Sequence, residues 1–168
     1  MDLVVTPDGW LRWNGRRARC ALGFGGVETS KREGDGVTPV GNFPLREVFF
    51  RPDRVEAPKT ALPVRAITPE DGWCDDPASP DYNRHIGLPH PARHERLWRE
   101  DGVYDLLVVL GYNDAPVVRG AGSAIFLHLA RPGFTPTEGC VALEMGPLRD
   151  IVELCGPTDR ICVSARRK

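Results

Sequence analysis

Two short, unbroken apolar runs, Leu106–Leu110 and Ala124–Leu127, do most to limit what this chain can fold into. Each lies in a slightly longer segment, Tyr104 to Tyr112 and Ser123 to Ala130, closed off by Gly, Asn, Asp or Pro. A run without polar alternation, and far shorter than a membrane span, reads as a strand buried on both faces.

The flanking sequence agrees. Trp10 to Trp13, then Asn14-Gly15, then Arg16 to Leu22 has the pattern of a tight β-hairpin, because Asn-Gly supplies the two positive-φ positions of the favoured turn. Residues 34–45 are turn formers that hand over to a short strand, and Val141–Leu143 and Arg160–Ser164 are further strand candidates. Helical periodicity is confined to Pro147–Cys155, where Leu148, Ile151, Val152 and Cys155 share a face. There Pro147 sits near the first turn and Gly156-Pro157 stops the helix. Residues 51–101 are Pro-rich, charged and weakly periodic, which predicts a loop-like insertion acting as a lid or binding surface. The 18 glycines and 16 prolines punctuate the apolar runs and do not form repeats. The expectation is a mainly β, loop-rich domain over 1–168 with one late helix, long enough to bury a core unaided.

A net charge of −1 gives no electrostatic footprint for nucleic acid. The basic ends (Arg16, Arg17, Arg19; Arg166, Arg167, Lys168) are too short to change that. No run reaches membrane-span length, and Met1 to Pro7 has neither the basic start nor the apolar core of a secretory leader. Five cysteines, Cys20, Cys74, Cys140, Cys155 and Cys162, leave at least one unpaired in a monomer, and their spacing matches no zinc pattern. His85, His90 and His94 are separated by Pro89 and Pro91, which break any helix that would align them as metal ligands.

Cys20, Cys155 and Cys162 lie inside apolar patterns and read as small core residues, while Cys74 falls in a polar loop, Gly-Trp-Cys-Asp-Asp-Pro. Cys140 differs. It follows Thr137-Glu138-Gly139 and so opens a strand, with a glycine that lets a substrate carbonyl approach and amides that can face an oxyanion. Glu138 opposes thiolate formation, so activation calls for a nearby histidine. His128 shares a strand face with Ala124, Phe126 and Ala130. The residues alone leave two readings open, a Cys/His catalytic pair or two ordinary core residues.

Three features together resemble the L,D-transpeptidase catalytic domain of the YkuD type over roughly residues 20–164. They are Thr38-Pro39-Val40-Gly41-Asn42-Phe43, His128 at a strand end, and Thr137-Glu138-Gly139-Cys140-Val141. The resemblance implies a YkuD-like β-sandwich or partly open barrel with one or two helices and the 51–101 insertion. It also implies a peptidoglycan acyltransferase needing no cofactor or metal. Cys140 would attack the diaminopimelate carbonyl of a stem peptide and expel D-Ala, with His128 as base. The amides of Gly139 and Cys140 are expected at the oxyanion, and the carbonyl of Thr137 or a neighbour behind the imidazole. Two positions depart from the family: Leu129 stands where it usually has Gly, and Ala142 where it usually has an arginine assigned to substrate.

Arg131 and Arg84 are the candidate replacements for that arginine. Trp73, Tyr82, Asn83, Trp98 and Ser123 are candidate cleft residues, or else pins that hold the insertion to the domain. The expected partners are peptidoglycan stem peptides, giving 3,3 or 1,3 cross-links, and carbapenem-type inhibitors, in the periplasm on substrate grounds, with the cytoplasm as the alternative. The alternatives are an L,D-carboxypeptidase or amidase on the same scaffold, and an idle peptide-binding domain.

Overall fold

The side-chain alternation of its central strands gives this chain two apolar clusters, one on each face of a single curved sheet. The computed structural model describes residues 1–165, so Arg166, Arg167 and Lys168 lie outside the described residues. The first strands are β1 (Asp2–Thr6), β2 (Trp10–Trp13), β3 (Arg16–Arg19), β4 (Val27–Glu28), β5 (Thr38–Pro39) and β6 (Gly41–Phe50). Next come β7 (Val64–Ala66), β8 (Asp71–Cys74), β9 (His85–Gly87) and β10 (His94–Arg96). The chain then forms β11 (Leu106–Leu110), β12 (Phe126–Leu129), β13 (Val141–Leu143), helix α1 (Met145–Leu154) and β14 (Arg160–Val163).

The main sheet runs β13-β12-β11-β6-β14-β1-β2-β3, with β7 added on β6. Just past β3, Ala21 and Ala142 of β13 exchange backbone hydrogen bonds of 2.8 and 2.9 Å. That bridge brings the two ends of the sheet together into a nearly closed barrel. Inside it, Leu106, Val108 and Leu110 of β11 pack with Leu3, Leu11, Leu127, Val141 and Ile161, and with Leu148, Ile151 and Val152 of α1. Leu107 and Val109 face the other way, into a second cluster with Phe49, Trp73, Leu97, Tyr104 and Phe126. Both faces of β11 are buried, as its unbroken apolar run requires.

The Asn14-Gly15 hairpin forms as expected, with φ of 43° and 74° at the two turn residues. Three expectations need correction. The strand after residue 40 is the ten-residue β6, which pairs with β14 through its first half and β11 through its second. Its Pro44 and charged Arg46 and Glu47 masked that length in the sequence. Asp2–Thr6, for which the sequence pattern carries no expectation, is an interior strand, parallel to β14. The 51–101 insertion is not loop-like throughout. It supplies β7 and a separate three-stranded sheet, β10-β8-β9, whose short strands are too brief to show a period. Cys74 lies in β8 and is fully buried, where the sequence places it in a polar loop.

Helix α1 seals the main core through few residues, so truncating one should be costly. Leu148→Ala is expected to destabilise the domain by about 2–5 kcal/mol, read as a lower urea midpoint with unchanged m-value.

Candidate active site

Strands β12 and β13 are parallel neighbours, with Leu127 opposite Val141 and His128 opposite Ala142. Leu127, Val141 and Leu143 point into the main core. Alternation then turns Phe126, His128 and Ala142, and Cys140 just before β13, to the opposite face. Cys140 and His128 are therefore diagonal neighbours on adjacent strands. Both line one cleft of about 630 Å³.

The loop that presents Cys140 is held by close backbone packing. Gly139 has φ +132°, and a Cβ there would stand 2.8 Å from the Val37 carbonyl oxygen. Gly23 lies against it so tightly that its own Cβ would come within 2.9 Å of Gly139 Cα. Thr38, fully buried, accepts the Gly23 N–H at 2.8 Å. The Thr-Pro-x-Gly segment thus acts at a distance, fixing the strip on which the Cys140 loop rests. Thr137 completes the clamp. Its N–H donates to Leu22 O at 2.9 Å and its carbonyl accepts from Phe24 N–H at 2.8 Å. Its hydroxyl accepts from Gly139 N–H at 3.1 Å and donates to Cys140 O at 2.7 Å.

That clamp corrects two expectations. The Gly139 amide is engaged by Thr137 Oγ1 and does not face the cleft as a free donor. The Cys140 amide donates to no acceptor among the described residues. The imidazole is oriented by the carbonyl of Leu129, which lies 2.9 Å from His128 Nδ1, and the Thr137 carbonyl is spent on Phe24. A carbonyl can only accept, so Nδ1 carries the proton and Nε2 keeps its lone pair.

Burial favours the neutral form of both side chains. Burial lowers the His128 pKa to about 4, and raises that of Cys140 to about 12. The thiol donates to Ala124 O at 3.2 Å and accepts from Phe126 N–H at 3.3 Å. Ala124 adopts φ +53° to offer that carbonyl, an outlier for a non-glycine residue and an unfavourable geometry stored beside the sulfur. The Tyr104 ring meets His128 edge-on at 5.3 Å, and its hydroxyl donates to Glu95 at 2.6 Å.

The other predicted residues divide clearly. Arg131 lines the cleft, with its guanidinium 3.3 Å from Asp101. Ser123 also lines it, donating to Glu33 at 2.7 Å. Tyr82, Asn83 and Trp73 are buried pins and not cleft residues. Tyr82 donates to Glu33, while Asn83 Oδ1 accepts from Trp73 Nε1 and Ala124 N–H, both at 3.0 Å. Asn83 thereby ties the insertion to the strand that carries His128. Arg84 is exposed and outside the cleft lining, and Trp98 stacks under the buried Arg51 guanidinium at 3.6 Å. Sequence reasoning missed Lys31, Glu33, Arg93, Glu95 and Arg99, which give the cleft its mixed charge. They sit in charged runs within irregular or short-strand segments, with no spacing to mark them. The three remaining histidines are each engaged locally: His85 with Asp71, His90 with Asp81 and His94 with Ala92 O. Among the described residues no group of three or more His, Cys, Asp or Glu could hold a metal ion.

The L,D-transpeptidase catalytic domain model, YkuD, matches residues 2–163. The chain belongs to this family. Helical cell shape determining protein Pgp2 from Campylobacter jejuni shares the fold of this YkuD domain at 16% identity and a TM-score of 0.50, over 99% of this chain and 48% of that one. Its K307A mutant gives 15% identity and 0.48, over 99% and 47%. The YkuD domain thus spans about half the length of these solved proteins. No curated protein matches it. Of the two departures from the family motif, Leu129 packs its side chain against the main core while its carbonyl holds His128. Ala142 is 1% exposed.

Because burial holds the thiol proton, Cys140 in this YkuD domain should alkylate slowly at neutral pH. Iodoacetamide labelling, followed by peptide mass spectrometry, should rise steadily with pH to above 10 without a plateau near the usual cysteine value. A plateau near pH 8.5 would contradict the buried, neutral thiol.

Proposed function

We propose that this domain is a peptidoglycan L,D-transpeptidase with Cys140 as nucleophile and His128 as general base. One observation carries the reading: the Cys140 thiol, just before β13, and the His128 imidazole, on the neighbouring β12, line one cleft. The family to which the chain belongs acts on peptidoglycan, which supports a stem-peptide substrate and a periplasmic or cell-wall location. Among the described residues no helix is long and apolar enough to cross a membrane.

The donor is a stem tetrapeptide whose diaminopimelate carbonyl sits over Sγ. The Sγ–H proton passes to His128 Nε2 as the S–C bond forms, and the carbonyl electrons move to oxygen. The uncommitted Cys140 amide is the donor placed for that oxyanion; the Gly139 amide joins it only if Thr137 Oγ1 releases it. Collapse breaks the C–N bond, and the departing D-Ala amine takes the proton back from the imidazolium. An acceptor amine then attacks the thioester, gives its proton to Nε2, and expels the sulfur, which is reprotonated. One amide is exchanged for another, so no nucleotide or metal is consumed. The acceptor is the amine of diaminopimelate for a 3,3 link or the amine of L-Ala at position 1 for a 1,3 link.

With both groups neutral at rest, proton transfer must accompany attack; a standing thiolate–imidazolium pair is disfavoured by the same burial that keeps water out. The insertion forms one wall of the cleft through Asp75, Arg93, Glu95 and Arg99. It is a cap whose charges meet the peptide.

Incubation with disaccharide-tetrapeptide should give dimers that have lost D-Ala, with fragmentation showing which residues are joined. Tripeptide monomers in their place would mean that water is the acceptor, and unchanged substrate that the domain is idle. Cys140→Ala should abolish product while keeping the thermal midpoint, and His128→Ala should slow acylation by roughly 10²–10⁴-fold. Because His128 is already basic above pH of about 4, the acid limb of the rate should fall well below the usual histidine value. A carbapenem should add its mass to wild type and not to Cys140→Ala.

A further inference from the structure

The family arginine is absent at Ala142, Arg131 is paired with Asp101, and Arg84 lies outside the cleft. One buried cation does reach the loop that carries Cys140. Lys31 has a side chain only 4% exposed, yet it lines the same cleft as Cys140 and His128. Its stem runs past Gly122, where a Cβ would stand 2.7 Å from Lys31 Cε. Its ammonium ends 3.3 Å from the position a Cβ would take on Gly139. Two glycines, each with a positive φ, therefore leave the passage through which this lysine enters. Such threading of a long charged side chain is costly in side-chain entropy, so its place beside the nucleophile is specified by the backbone around it.

We propose that Lys31 is the cation of this site, stabilising negative charge on Cys140 Sγ and on the oxyanion that follows. The assignment of an oxyanion rests on the acyl-transfer reading above; the coupling to the thiolate does not. Chemistry supports the role from three sides. The cleft is lined by Glu33, Glu95 and Glu138, and Glu95 and Glu138 both oppose ionisation of Cys140, while Lys31 favours it. Gly139 N–H, the second amide a nucleophile loop would normally offer, is held by Thr137 Oγ1. A cation in a buried cleft acts at short range with little screening.

Asp35 sets the strength of the effect. Its Oδ1 accepts from Lys31 Nζ and from Val37 N–H, both at 2.9 Å, and its Oδ2 accepts from Arg32 N–H at 2.6 Å. The same carboxylate that holds the 31–37 turn in place also tempers the lysine's charge. The two residues should therefore act on the sulfur with opposite sign.

The test is the iodoacetamide rate at Cys140, read by peptide mass spectrometry at pH 8, since alkylation needs only the thiolate and no peptidoglycan chemistry. Lys31→Met should lower that rate about tenfold, and Asp35→Asn should raise it. On disaccharide-tetrapeptide, Lys31→Met should lower kcat with KM within about threefold. An equal alkylation rate in folded Lys31→Met overturns the proposal. So does a fall in both variants, because loss of the turn alone would slow both. If Lys31→Met does not fold, the sign of the Asp35→Asn effect decides. Should the wild type prove inactive on peptidoglycan, the alkylation rates still test Lys31, so the two failures are separable.

Discussion

Everything at this site depends on the parallel pairing of β12 with β13. A parallel pair keeps residues of the same parity on the same face, so Leu127 and Val141 go into the barrel together while Phe126, His128 and Cys140 turn outward together. A slip of one residue would send the imidazole into the hydrocarbon core and a leucine into the cleft. The core therefore sets the register: Leu127, Val141 and Leu143 are all fully buried. The same β13 also closes the sheet through Ala142 and Ala21, so barrel closure and the placement of Cys140 are fixed by one strand.

Around that strand the chain uses backbone contact where other sites use side chains. The strip 22–24, the turn at 36–38 and the loop at 137–140 meet through glycines and through the Thr38 and Thr137 hydroxyls. Such packing leaves little room for relaxation, which keeps the sulfur in place but also spends the Gly139 amide. On the proposed reading, electrophilic help would come from the Cys140 amide and from charge in the cleft.

The parts legible in the sequence were those with a period or a stereochemical demand. The β11 and β12 runs, the Asn14-Gly15 turn and the α1 face are patterns that local physics produces, and each formed within a few residues of its expected bounds. His128 and Cys140 were legible as a strand residue and a strand opener, and the structure brings them into one cleft. What stayed hidden was tertiary. Tyr82, Asn83 and Trp73 look like an aromatic and polar cleft lining, yet their polar atoms are used up on one another, on Glu33 and on Ala124 in the segment leading into β12. Lys31 carries no signal at all, since its position in the cleft depends on Gly122 and Gly139, far from it in the chain and near it only once the barrel closes.

The electrostatics of the cleft then follow from its burial. Desolvation drives both His128 and Cys140 toward neutrality, and neutrality at rest protects a buried thiol from oxidants and stray electrophiles. The fixed charges of the cleft, Lys31, Glu33, Arg93, Glu95 and Arg99 among them, stand around that neutral pair. A site built this way favours groups whose charge is fixed before the reaction begins, because they need not reorganise as the oxyanion forms. The peptide amide of Cys140 is one such group, and an ammonium held between two glycines and a carboxylate is another. On the acyl-transfer reading, such groups placed around a neutral pair would meet the oxyanion without a standing thiolate.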